Sequence, residues 1–394
     1  MTGRLFREAA LADGSSPDLT LGISVLVRCG LIEWMGPVGE EPEVADVEVI
    51  DASGTVVVPG MVDCHSHLTL PGGARWIERC FDSTDALLAA AEDNAHLLRR
   101  AGVFWTRDMG SPTRTDPDSG DERPLGLVIR DRWAGHRGYP YVRAAGTWAV
   151  RRGGLPAGLG VEVDDADALL TAALGQLDAG ADWVKLYLDG PDRETPPFTA
   201  DEIGKVVRAV RERGARVAAH STALPGARVA AEAAVDSLEH AWDLDEDTAR
   251  LMRANGVWLV STLAVLESLD SFATTTTLPR FTEPSGRAAL ETRRERARES
   301  TQLAARAGVQ LAAGTDFGGG SLRANQMAWE VQALVDCGLE PWRALAAATR
   351  DGGRLLNEPD AGVLRPGGPA DFFLVHGNPL HDPAALWRVW KTSP

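Results

Sequence analysis

Lysine is nearly missing from this chain, and so are several features that would direct its reading elsewhere. Of 40 basic residues in 394, only three are lysines: Lys185, Lys205 and Lys391. The 56 acidic residues bring the formal net charge to −16. That balance argues against nucleic acid or an anionic membrane as a partner, and predicts a soluble protein acting on a small molecule. No run of about 20 apolar residues occurs, which excludes a transmembrane helix. The opening residues, MTGRLFREAALADGSS, lack the apolar core of a signal peptide. The four cysteines (Cys29, Cys64, Cys80 and Cys337) show no CxxC spacing. They read as free thiols, so the expected compartment is the cytoplasm. The Gly-rich stretch GTDFGGGS lacks the phosphate-binding fingerprint, which argues against an open, doubly wound nucleotide-binding sheet. Composition leaves open whether the chain forms a homo-oligomer.

What is present has a clear order. Hydrophobic content of 44% is enough for a sizeable core. The length suits a barrel with a small accessory domain. Residues 1–58 read as short strands broken by Gly and Pro, with no helical period. From Val56 onward, short β-branched segments alternate with Ala-, Leu- and Arg-rich amphipathic stretches. The strand candidates are VVVPGMVDCHSH, GVFWTRDMG, YVRAAG, DWVKLYL, ARVAAHS, DSLEHA, GVWLVSTL and GVQLAAGTDF. Helical stretches such as ADALLTAALGQLDAG and TADEIGKVVRAVRERG lie between most of them. Eight strands with helical returns predict the α/β class and a (β/α)8 TIM-like barrel over residues 59–356. The helical period is lost again over 357–394. That segment is expected to join residues 1–58 in a small β-sandwich domain. Residues 264–300, after the seventh strand, read as a long loop leading into a charged helix, a place from which an active site could be covered.

Histidine is sparse too, yet its placement is uneven. Four of the 8 histidines (His65, His67, His220 and His240) fall at predicted strand ends, where a barrel carries its chemistry. Strand alternation puts Asp63, His65 and His67 on one face and turns Cys64 away as a packing residue. Two imidazoles one residue apart can chelate one metal ion, although the pair alone decides little. The eighth strand ends in Asp316, and the fourth carries Lys185 inside an apolar run. A buried ammonium costs several kcal/mol unless paired, so burial lowers its pKa and frees the amine. A free amine can take up carbon dioxide as a carbamate, an anionic ligand with two oxygens able to bridge two divalent metals.

PGMVDCHSH, the strand-four lysine, AAHS, DSLEHA and AAGTDF together resemble the amidohydrolase superfamily. Within it they look like the imidazolonepropionase-related, prolidase-like branch, which includes Xaa-Pro dipeptidase-like members. The likeness spans nearly the whole chain. It implies that His65, His67 and Asp316 hold a first metal and that His220 and His240 hold a second. Lys185, as N6-carboxylysine, bridges them. Zinc is the expected metal, since nitrogen and oxygen ligands at low coordination number suit it. Two such ions would ready a bridging water for attack on a carbonyl, with Asp316 taking its proton and returning it to the leaving amine.

The implied reaction is hydrolysis of a C–N amide bond in a dipeptide, an N-acyl amino acid or a related amide. An ester, lactone or carbamate hydrolase would use the same centre. A mononuclear aminohydrolase (deaminase) is disfavoured, because HSTALPG offers no Glu after His220. Dipeptidases of this branch resemble one another in a GGH turn after strand three and a Tyr two residues past the strand-five His. Here Leu155 and Thr222 stand at those places. Arg151 and Arg152 near the same turn, and Tyr187 on the face of Lys185, are the expected substrate contacts.

Overall fold

The computed structural model describes residues 3–393. Residues 1, 2 and 394, at the outer edges of the expected segments 1–58 and 357–394, lie outside it. The chain is mixed α/β. Its two ends share one seven-stranded sheet. Gly3–Leu11 pairs antiparallel with Thr20–Arg28 and parallel with Val47–Asp51 and Thr55–Pro59. From the other end of the chain, Phe372–His376 pairs antiparallel with Thr55–Pro59. The Phe6 and Phe372 rings meet edge-on at 5.1 Å, inside an apolar cluster with Val25, Ile32 and Val57.

This pairing corrects one expectation. Val56, Val57 and Val58 are not the start of the strand that ends in the two histidines. They lie in Thr55–Pro59, where Val57 pairs with Leu374. Pro59 has no N–H to continue a ladder, and a separate strand, Met61–Ser66, begins beyond Gly60. Glycine is required at position 60, because a Cβ there would lie 2.7 Å from the Phe104 ring.

A second series of strands runs parallel. In order they are Met61–Ser66, Val103–Asp108, Tyr141–Ala144 continuing as Trp148–Arg151, Trp183–Tyr187, Arg216–Ser221, Ser237–His240, Trp258–Val260 and Leu311–Ala312. They are called first to eighth below. Each pairs with the next, the third reaching the second through Tyr141–Ala144 and the fourth through Trp148–Arg151. The first strand also bonds to the chain around the eighth. Cys64 N donates to Ala313 O at 2.9 Å, and Asp316 N donates to His65 O at 2.7 Å. Helices return between the strands with well-formed starts. Asp165 caps Ala166–Asp178, and Thr199 with Glu202 forms a capping box on Ala200–Glu212. Their apolar faces, including Leu169, Ala173, Ile203 and Val207, pack on Val184, Leu186 and Val217 of the fourth and fifth strands.

The segment after the seventh strand differs from the expected long loop. It folds as Leu263–Thr275, Pro279–Thr282 and the 23-residue helix Pro284–Arg306. Proline at the first turn, where an N–H would be unpaired anyway, starts the last two. The segment reaches across to residues 74–76: Arg280 donates to the Ala74 carbonyl and lies 4.6 Å over the Trp76 ring. No helix among the described residues is long and apolar enough to cross a membrane.

Candidate metal centre

His65, His67, Lys185, His220, His240 and Asp316 all line one cavity. Backbone geometry sets two of them. His240 and Asp316 adopt φ of 72° and 54°, and Thr262 beside them 52°. These are left-handed conformations that non-glycine residues adopt at a cost of about 1 kcal/mol or more, and such outliers gather at functional sites. Two glycines let the chain close in. A Cβ at Gly314 would lie 2.7 Å from His65 Cβ, and one at Gly319 would lie 2.1 Å from His67 Cδ2. The GTDFGGGS stretch therefore serves close packing against the two histidines.

Three of the four imidazoles are oriented from behind. His65 Nδ1 donates to Glu239 Oε2 at 2.7 Å, and His67 Nδ1 donates to the Gly110 carbonyl at 2.7 Å. His240 Nδ1 lies 2.7 Å from the Thr262 hydroxyl. Each bond leaves Nε2 as the available ligand atom. Asp316 Oδ1 sits 3.2 Å from His67 Nε2 and 3.5 Å from His65 Nε2. The ligand atoms of these three residues lie within 4.8 Å of one another, a spacing that one metal ion could bridge. Burial pulls the His65 and His240 imidazoles well below their usual range, with nearby positive charge adding to it. Neutral imidazole is the form that binds metal.

Behind His65 lies a buried ion pair. Arg107, fully buried, donates to Glu239 Oε1 at 2.8 Å, to Ser237 Oγ at 3.0 Å and to the Cys64 carbonyl at 2.5 Å. Asp63, expected to face the same way as the histidines, accepts instead from Thr315 N, Thr315 Oγ1 and His65 N. It ties the first strand to the eighth, and burial raises its carboxyl to about 6. Cys64 is buried as a packing residue.

Two of the six side chains, His220 and Lys185, lack such support. The His220 ring lies 4.5 Å from that of His240, and Tyr187 stacks on it at 3.9 Å. His220 Nε2 is 3.4 Å from Asp189 Oδ2 without a hydrogen bond. Lys185 is only 2% exposed, and its Nζ has no hydrogen-bond partner. Burial, opposed by attraction to Glu239, pulls its amine down to about 8. An orphaned amine among four imidazoles and a carboxylate fits a carbamate bridge between metal ions, because that group would satisfy the nitrogen and supply two ligand oxygens.

Space opens on two sides of these residues. One cavity, of about 270 Å³, is walled by Trp76, Trp148, Leu155 and Leu159. The other, of about 460 Å³, is walled by Asp189, Arg193, Thr222 and Arg293. Tyr187, His220, His240 and Asp316 face both. Tyr187 thus lies at the cavity as expected, whereas Arg151 and Arg152 line neither side. Arg152 is held outside by Asp164 at 2.7 Å and Glu162 at 3.5 Å, and Arg151 lies exposed with its guanidinium 5.8 Å over the Phe198 ring. The same turn reaches the second cavity through Gly153 and Gly154. Glu239, Arg107 and Thr262 were not anticipated. Their one signal was charge or polarity at apolar strands, in VFWTRD, DSLEHA and GVWLVSTL.

A model of the amidohydrolase family matches residues 56–392. An uncharacterized protein of Mycobacterium tuberculosis is 32% identical over 358 residues, covering 89% of this chain and 86% of that protein. Imidazolonepropionase of Salinispora arenicola is 27% identical over 391 residues, with coverage of 95% and 90%. Among solved structures, a Xaa-Pro dipeptidase with methionine bound in its active site superposes with a TM-score of 0.83 at 24% identity, covering 98% of this chain and 97% of that one.

Proposed function

Because the chain belongs to the amidohydrolase family, we propose that it is a metal-dependent hydrolase cleaving the C–N amide bond of a small substrate, a dipeptide, an N-acyl amino acid or a related amide. We take its parallel strands as a (β/α)8 barrel over 59–356, with the sheet of the two termini (1–58 and 357–394) folded as a small β-sandwich. The observation that carries the functional reading is the partnerless Lys185 amine facing four histidines and an aspartate. In this reading His65, His67 and Asp316 would hold one divalent ion, His220 and His240 a second, and carboxylated Lys185 both, with zinc the default. Metal ions held there would supply Lewis acidity and a lowered pKa for water.

The chain's own groups do the rest. Asp316, facing both cavities, takes the proton of the attacking water and returns it to the leaving nitrogen, so that water and amide become a carboxylic acid and an amine. Tyr187 keeps its phenol proton, since burial pushes its pKa up, and can donate to the substrate carbonyl. Glu239 and Gly110 hold the His65 and His67 rings so that they need no reorganisation. The Xaa-Pro dipeptidase with bound methionine is consistent with an amino-acid group at such a site. A hydrolysis screen of the zinc-loaded protein against dipeptides, N-acyl amino acids, lactones and aryl esters tests the proposal. Amide cleavage is expected. Turnover confined to lactones or esters would overturn the C–N reading and leave a hydrolase of carbon–oxygen bonds.

A further inference from the structure

The two cavities flanking the six residues differ in chemistry. The Trp76 and Trp148 side is apolar. The other side carries two guanidinium groups, Arg193 and Arg293, and neither is in an ion pair among the described residues. Arg193 comes from the loop after the fourth strand, Arg293 from the helix Pro284–Arg306. Arg193 is in the left-handed region with φ of 61°, and its Nη2 donates to the Thr222 carbonyl at 2.9 Å. Arg293 lies 6.0 Å from the Trp242 ring. Burial, and next the charge of Arg193, hold the Arg293 guanidinium below its ordinary range, while Asp189 acts the other way. The two cations thus repel each other across the cavity.

Asp189 does not fill the gap between them. Its oxygens accept from Thr222 N, Thr222 Oγ1 at 2.6 Å and Ser221 Oγ at 2.7 Å. The same bonds occupy the Thr222 hydroxyl, while Leu155 walls the apolar cavity. So neither residue standing at the dipeptidase positions offers a group to an anion. A protein of net charge −16 repels anions at long range and needs a local cationic contact to hold one.

We infer that Arg193 and Arg293 form a carboxylate-binding subsite, and that the substrate lies across the six-residue cluster with its anionic end there and an apolar group against Trp76, Trp148 and Leu159. The placing of the scissile bond between these ends rests on the amide-hydrolase reading; the subsite itself does not. A guanidinium grips a carboxylate through paired hydrogen bonds, which fixes orientation as well as charge. The substrate class is then an N-acyl amino acid or a dipeptide with an apolar residue on its amino side.

Calorimetry with a non-hydrolysable probe tests this. Benzoylpropanoate is N-benzoylglycine with CH2 in place of NH, and benzoylpropanamide is its neutral counterpart. The zinc-loaded protein is expected to prefer the acid. Replacing both residues, Arg193→Met with Arg293→Met, should weaken acid binding about 10- to 100-fold and bring its Kd close to that of the amide. Arg293→Lys should restore part of the loss, and Arg152→Met, outside the cavity, should bind the acid like the unaltered protein. Equal binding of acid and amide to the unaltered protein, or equal weakening of both in the double variant, would overturn the subsite. Acid selectivity that depends on the two arginines, in a protein that cleaves no amide, would keep the subsite and sink the hydrolase reading instead.

Discussion

His65, His67 and Asp316 on one side, and Lys185, His220 and His240 on the other, are both sets of three at strand ends, yet the chain treats them differently. In the first set both imidazoles are held from behind and Asp316 lies against them at 3.2 and 3.5 Å. In the second set His240 is held by Thr262, while Lys185 Nζ and His220 Nε2 have no hydrogen-bond partner. Leaving a buried polar group unpaired costs about 1–3 kcal/mol, and more for a charge. The first set is completed by protein atoms. In the proposed reading, a carbamate on Lys185 with its metal ions would complete the second.

If this contrast is right, Lys185→Ala should have the largest effect. It removes the proposed bridge, so metal content should fall and turnover be lost. Short carboxylic acids added with zinc should restore part of both. Full metal content and rate in this variant would erase the distinction between the two sets. Asp316→Asn comes next. It keeps the shape of the first set but not its proton transfer, and steady-state rates should drop about 10²- to 10⁴-fold. A mild loss would assign the base elsewhere. Arg107→Met breaks the buried pair beneath the first set, and denaturant unfolding should show a loss of about 3–5 kcal/mol, because Glu239 would be left buried and unpaired. No loss of stability would mean that the support under His65 is incidental. Glu239→Gln should act mainly on the metal, lowering zinc affinity in competition with a chelator about 10- to 100-fold. An unchanged affinity would leave the first set no better supported than the second.

The six residues could be picked from sequence because a strand end and a chemically distinctive side chain coincide at each of them. The strand period, the rarity of histidine and a lysine in an apolar run sufficed to name them. Their partners could not be found that way. Arg107 and Glu239 are 132 residues apart, and a charge in an apolar strand has no visible partner until the strands are neighbours. The valines at 56–58 show a related limit. A β-branched run suits either sheet, and only the break at Pro59–Gly60 assigns it to the terminal one. Residues 264–284 carry five threonines and two prolines and read as loop, yet their apolar residues, among them Leu266 and Phe281, pack them down as helices. Arg151 and Arg152 were near the right turn in sequence, but Asp164 and Glu162 draw Arg152 outward, and the cations at the cavity come from two segments 100 residues apart.

The contrast between the two sets is tested most directly by titrating zinc into chelator-stripped protein in bicarbonate buffer while following hydrolysis of a cleaved amide. The account predicts that the rate keeps rising until about two equivalents per chain are bound, and that Lys185→Ala abolishes this rise. A rate that is complete at one equivalent, or that needs no metal at all, would contradict it.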